Sequence, residues 1–258
     1  MANYIGVHGG RHITRLLHDR SLMLNTLVMP IVSVLIVVGL FGDFMKASQG
    51  LEELDLMPVT VMFIISAQLM NSQSVAASLV SERQRGITDR FFTTPGGITP
   101  YVWGTWWAVF LRLFVAGLTG PIITTIMGMR PSLPALGWLL FLNILVAATI
   151  SIFAIGFSSL VKVPEATMIM TPFAFILMFL SAGIVPTESF ISVVQPLVRI
   201  NPITHAVRAG IALDDGPLAQ VLGVKEALPE LTIAVIFFAV ILVFFAFIAF
   251  RKAKKNWL

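Results

Sequence analysis

Cysteine is absent from all 258 residues, which excludes disulfides, thiolate metal sites and a cysteine nucleophile. Charge is scarce. Asp, Glu, Lys and Arg make up 12% of the chain, about half the quarter usual in globular domains. No Gly-Lys dipeptide occurs, so the phosphate-cradling loop G-x-x-x-x-G-K-[ST] is missing, as is any glycine-rich strand-to-helix turn outside the apolar stretches. Histidine is rare, and three of the four (His8, His12 and His18) crowd into the polar N-terminus, leaving His205 alone. There is no internal repeat and no low-complexity tract. The net charge of +4 is too small and too scattered to suggest nucleic-acid binding.

What the chain has instead is apolar length. Hydrophobic residues make up 57% and the mean hydropathy is +0.91. Roughly six stretches are each about long enough to cross a bilayer. They fall near Leu22–Phe41, Pro58–Val80, Tyr101–Met129, Ala135–Val161, Ala166–Val185 and Leu231–Phe250. This pattern rules out a soluble enzyme and predicts an all-α polytopic membrane protein with six transmembrane helices, one domain over residues 1–258. The N-terminus lacks a small-residue cleavage site, so the first stretch is expected to be a retained span.

Basic residues predict the orientation, because cytoplasmic flanks collect them. One side holds Arg11, Arg15, Arg20, Arg83, Arg85, Arg90, Lys162, Arg251, Lys252, Lys254 and Lys255. The other holds Lys46, Arg130, Arg199, Arg208 and Lys225. Both termini are therefore expected in the cytoplasm of a plasma-membrane protein. Within residues 1–21, Ile13, Leu16 and Leu17 share a helical face beside Arg11, Arg15 and Arg20. That pattern suits an amphipathic helix lying in the headgroup region, and a plain topology-fixing flank is the alternative.

Polar side chains inside the spans are few and specific. Gln68, Asn71, Ser72, Val75 and Ser78 fall on one stripe of the second span, which should face protein or a water-accessible path rather than lipid. Packing glue within the subunit explains the stripe equally well. Thr171, Phe175, Met178 and Phe179 in the fifth span suit a broad amphiphilic ligand, though such residues also serve ordinary packing. Arg112 is the lone charge within a span. With Trp103, Trp106 and Trp107 at the interface, it reads as structural or snorkelling. Pro121 and Pro172 are expected to kink their helices.

Two connecting segments stand out. Residues 81–97, SERQRGITDRFFTTPGG, are longer than a topology loop requires and set Ile87, Phe91 and Phe92 beside Arg83 and Arg90. A short helix seated in a groove of a soluble partner has this character. Residues 186–230 form an external segment of apolar helical pattern. Thr187 is expected to cap a helix reaching Leu197, and Asn201 to cap a second with Pro202 at its first position.

The 81–97 segment resembles the signature that follows the second span in ABC-2 type exporter permeases. Glu82, Arg83, Gly86, Asp89, Arg90, Thr94 and Pro95 match it. Asn201-Pro202-Ile203-Thr204-His205 is similar to the family's Asn-Pro-(apolar)-Thr segment before the last span. The nearest likeness is to the daunorubicin-resistance type of drug and lipid exporters. The resemblance implies a permease subunit without a cofactor of its own, paired with a second permease and with two copies of an ATPase subunit that bind ATP and Mg. It implies a coupling role for Glu82, Arg83, Arg85, Gly86, Asp89, Arg90, Phe91, Thr94 and Pro95. It also implies a re-entrant external hairpin, capped by Asn201, Pro202, Thr204 and His205, with a helix lying on the membrane surface as the alternative. Membrane lipids surround the assembly. Three rivals remain: a secondary transporter, which would want ionisable groups at mid-membrane; an intramembrane enzyme, which would want paired carboxylates or a Ser/His arrangement; and a non-transporting anchor.

Overall fold

The computed structural model describes residues 24–86, 98–182, 185–224 and 226–255. The expected amphipathic helix of residues 1–21 lies outside them, as do Asp89, Arg90, Phe91, Thr94 and Pro95. The protein is all-α and polytopic, and among the described residues five helices are long and apolar enough to cross a membrane. A π-helical turn, Leu24–Val28, leads into α1 (Met29–Gln49). There follow α2 (Met57–Gln84), α3 (Ile98–Ile126) and α4 (Leu133–Leu160). A 3-10 turn, Pro164–Ile169, runs into α5 (Met170–Phe179). Beyond it lie a 3-10 turn (Thr187–Ser189), α6 (Gln195–Ile200), α7 (Pro202–Asp214), α8 (Pro217–Leu222) and α9 (Ala227–Lys255).

Helix α2 is the axis of the fold. In its most apolar stretch 83% of residues are buried, against 17% in α1 and in α9. It packs on α3, α4, α5 and α7, while α9 lies against α4 and α7. Met57, Met62, Ile64, Leu113, Leu139 and Leu142 are fully buried between these helices. Much of the remaining apolar surface points outward, as in Leu40, Ile126, Val243 and Phe247. In a bilayer such surface costs nothing, because lipid tails are as apolar as the side chains.

Several expected boundaries moved. Helix α1 continues past Phe41 to Gln49, so Asp43 and Lys46 are helical rather than in a loop. No proline interrupts that stretch, and the helix runs on to Gly50. The expected fifth span begins as a 3-10 turn and becomes α-helical only at Met170. Pro172 explains the junction: it has no N–H to bond four residues back and its ring crowds the preceding turn, so it is accommodated in the first turn of α5. At the rises of the two helix types, Pro164–Phe179 covers about 27 Å, a little less than a hydrocarbon core of about 30 Å. Pro121 lies inside α3, which continues through it. Thr187 starts only a 3-10 turn, and the helix expected to follow reaches just six residues, Gln195–Ile200. Pro196 in its first turn sets that start.

Candidate functional site

The helix ends sort into two groups at opposite ends of the bundle. Helix α2 is 28 residues long, about 42 Å, so it exceeds the hydrocarbon thickness by roughly two turns. Its last turn meets the end of α4. Arg83 donates from Nη1 to the Ser158 carbonyl at 2.8 Å and from Nη2 to the Val161 carbonyl. Gln84 Nε2 donates to the Lys162 carbonyl at 3.0 Å. The last four carbonyls of a helix have no partner within it, and a cation there meets the negative end of the helix dipole. Arg83 therefore serves as the C-terminal cap of α4, a role that its sequence position does not reveal. Glu82 is buried at 7% exposure, whereas Arg85 is exposed. Gly86 stops α2 with φ of +66°, a backbone setting that a side chain disfavours, and its N–H bonds the Arg83 carbonyl.

At mid-bundle the polar stripe of α2 turns inward. Gln68 and Ser72 have no exposed surface, and Asn71 and Val75 have little. Gln68 Nε2 donates to Asn143 Oδ1 of α4 at 2.6 Å, and Asn143 Nδ2 donates to the Phe114 carbonyl of α3 at 3.1 Å. The amide pair fits because Gly117 leaves a notch: a Cβ there would stand 2.0 Å from Asn143 Oδ1 and 2.3 Å from Gln68 Nε2. The three central helices are thus joined by one amide bridge. Asn143 did not stand out in the sequence, although a buried amide in an otherwise apolar helix was available as a signal. Arg112 of α3 is held between the π-helical turn before α1 and helix α2, donating to Thr26 Oγ1 at 3.2 Å and Ser74 Oγ at 2.8 Å.

Helix α5 has two faces. Thr171 donates to Gln73 Oε1 of α2 at 2.5 Å, and Met178 is buried. Phe173, Phe175, Ile176 and Phe179 point outward, with the Phe175 and Phe179 rings stacked 6.3 Å apart. Of the eight residues expected along a path, Gln68, Asn71, Ser72, Val75 and Met178 are buried within this chain, while Phe175 and Phe179 face its exterior.

At the other end, Asn201 joins two helices. Its Oδ1 accepts from the Ile203 N–H at 2.9 Å, capping α7 with Pro202 at the first position. Its Nδ2 donates to the Leu177 and Leu180 carbonyls at 2.7 and 2.6 Å, completing the end of α5. Thr204 Oγ1 accepts from the Ala182 N–H at 3.1 Å. His205 Nδ1 lies 2.6 Å from Glu230 Oε2, and Arg208 Nε lies 3.0 Å from Glu230 Oε1, fastening α7 to the first turn of α9. The Arg208 contact is an ion pair without hydrogen-bond alignment. Nearby, Gln49 brackets the Asp55 backbone, and Asp55 Oδ1 accepts from the Met57 N–H. Burial, with the negative charge of Asp214 adding to it, pushes the Asp55 carboxyl above its usual range. A cavity of about 520 Å³ opens between Gln49, Pro58, Thr187, Arg208, Ile211 and Leu222.

No cluster of three or more His, Cys, Asp or Glu side chains that could hold a metal occurs among the described residues. The geometry is that of a helical membrane protein whose polar groups bind helix to helix and helix end to helix end. Residues 5–213 match the family description ABC-2 type transporter. That match spans most of the chain, so the protein belongs to the ABC-2 type transporter family and is a membrane permease of it. No curated protein matches the chain significantly.

Proposed function

We propose that this chain is the permease half of an ATP-driven exporter in the plasma membrane, with both termini cytoplasmic. Two permeases, as a homodimer or a related pair, enclose the path, and two copies of an ATPase subunit supply ATP and Mg. The observation that carries the reading is the family match together with the way α2 overruns the bilayer and delivers Glu82, Arg83, Arg85 and Gly86 to its tip. The elbow from Glu82 to Pro95 couples the permease to the ATPase, with Arg85, Asp89, Arg90, Phe91 and Thr94 as its contact residues. Placing Pro164–Phe179 as a thin sixth span agrees with its length.

The cargo is hydrophobic or amphiphilic, of drug, lipid or glycolipid type. The outward face of Phe173, Phe175 and Phe179 supports this, because it offers aromatic surface without charge. With Gln68, Asn71, Ser72 and Val75 buried in the subunit, their contribution to the path is to hold α2, α3 and α4 in register. The segment 186–230 acts as the external cap, held by Asn201, Pro202, Thr204 and His205. A secondary transporter is disfavoured, because Arg112 is engaged with two hydroxyls, and the acidic residues of the long apolar helices, Asp43, Glu82 and Glu230, stand toward their ends rather than at mid-membrane.

The test is the double substitution Glu82→Ala and Arg90→Ala in the full chain co-expressed with the ATPase subunit. The chain should insert normally, while co-purification of the ATPase and vesicle transport of a fluorescent amphiphile such as a labelled phospholipid both fall. Normal co-purification with normal transport would refute the reading.

A further inference from the structure

We infer that Arg83 is a positioning residue rather than an ATPase contact: its guanidinium clasps the end of α4 and so carries movement of the elbow to α5. The inference rests on the elbow being the ATPase seat, as proposed above.

The two carbonyls that Arg83 bridges, Ser158 and Val161, lie where α4 ends and the chain turns toward Pro164–Ile169. Gln84 extends the clasp to the Lys162 carbonyl, two residues before that turn begins. A planar guanidinium can donate to two acceptors at once in fixed directions, and hydrogen bonds from a charged donor are roughly twice as strong as neutral ones. With one N–H on each terminal nitrogen committed to backbone of its own subunit, the guanidinium is fixed in orientation against the end of α4. The same helix also grips α5 higher up, through Gln73 and Thr171. Any tilt of the α2 tip is therefore passed to the end of α4 and to the aromatic face that begins at α5. Arg85, exposed and two residues further on, is turned to meet the ATPase.

The experiment compares wild type, Arg83→Ala and Arg83→Lys in the complex with the ATPase, following hydrogen exchange of Pro164–Phe179 with and without ATP and vanadate. Arg83→Ala should keep the ATPase at wild-type stoichiometry and hydrolysis rate, yet lose the nucleotide-dependent change in Pro164–Phe179. Arg83→Lys should retain part of it, since an ammonium reaches one carbonyl but not both in a fixed fork. Because the native chain contains no cysteine, Gln84→Cys with Lys162→Cys forms the sole thiol pair. Bridging that pair with a short bis-thiosulfonate in the Arg83→Ala background should restore the response. A full response in Arg83→Ala, or loss of the ATPase from that variant, would overturn the inference. If wild type itself binds no ATPase, the proposed function fails, and the isolated permease still decides the clasp. There, Arg83→Ala should speed exchange in the last turn of α4 by about tenfold, and unchanged exchange would overturn it.

Discussion

Replacing Asn201 separates two roles that one side chain performs. Its carbonyl oxygen caps α7, and its amide nitrogen completes two carbonyls at the end of α5. Losing a helix N-cap costs about 1 kcal/mol. Each of the two donor contacts adds about 0.5–1.5 kcal/mol, since the side chain is buried and water does not freely replace it. Asn201→Ala should therefore cost about 2–4 kcal/mol. For a chain of this size that corresponds to a fall in Tm on the order of 5–15 °C. The informative variant is Asn201→Asp. As an N-cap alone, Asp is as good as Asn, so a capping role predicts no change. The clasp on α5 predicts a loss at least as large as that of Ala, because a carboxylate would face the Leu177 and Leu180 carbonyls without a proton to give. Thermal unfolding of the purified permease in one fixed detergent and lipid mixture reads the difference. A neutral Asn201→Asp would refute the joint between α5 and α7.

Two further substitutions probe the centre and the outer end. Gly117→Ala should force apart the Gln68–Asn143 bridge and cost about 1–3 kcal/mol by thermal unfolding; adding Asn143→Ala should recover part of that loss, and simple additivity would argue against the notch. Asp55→Asn keeps the acceptor for the Met57 N–H while removing a charge that burial and Asp214 disfavour. An acid whose folded pKa is raised holds its proton more tightly in the folded state, so stability falls as pH rises from about 3.8 through the folded value. The variant should therefore unfold at a higher temperature than wild type at pH 7–8. That advantage should fade as the pH is lowered toward 4, and an equal difference at both pH values would contradict the assignment.

Read one residue at a time, the chain discloses its apolar lengths, and those alone define the class. Bilayer thickness imposes a length on each span, and backbone polarity forces each span to be helical, so neither property needs a tertiary contact. The start of α7 was equally legible, because Asn201-Pro202 is a local signal read by the next few residues. The fate of each polar side chain was not. The stripe on α2 was compatible with a path or with packing, and only the arrival of Asn143 across the notch at Gly117 turned Gln68 inward. Arg83 read as one residue of the coupling segment, and its role as a helix cap was visible only once α4 brought its unpaired carbonyls alongside. Hydrogen-bond partners 75 residues apart in the chain leave no trace in local composition, because their pairing is decided by which helices pack together.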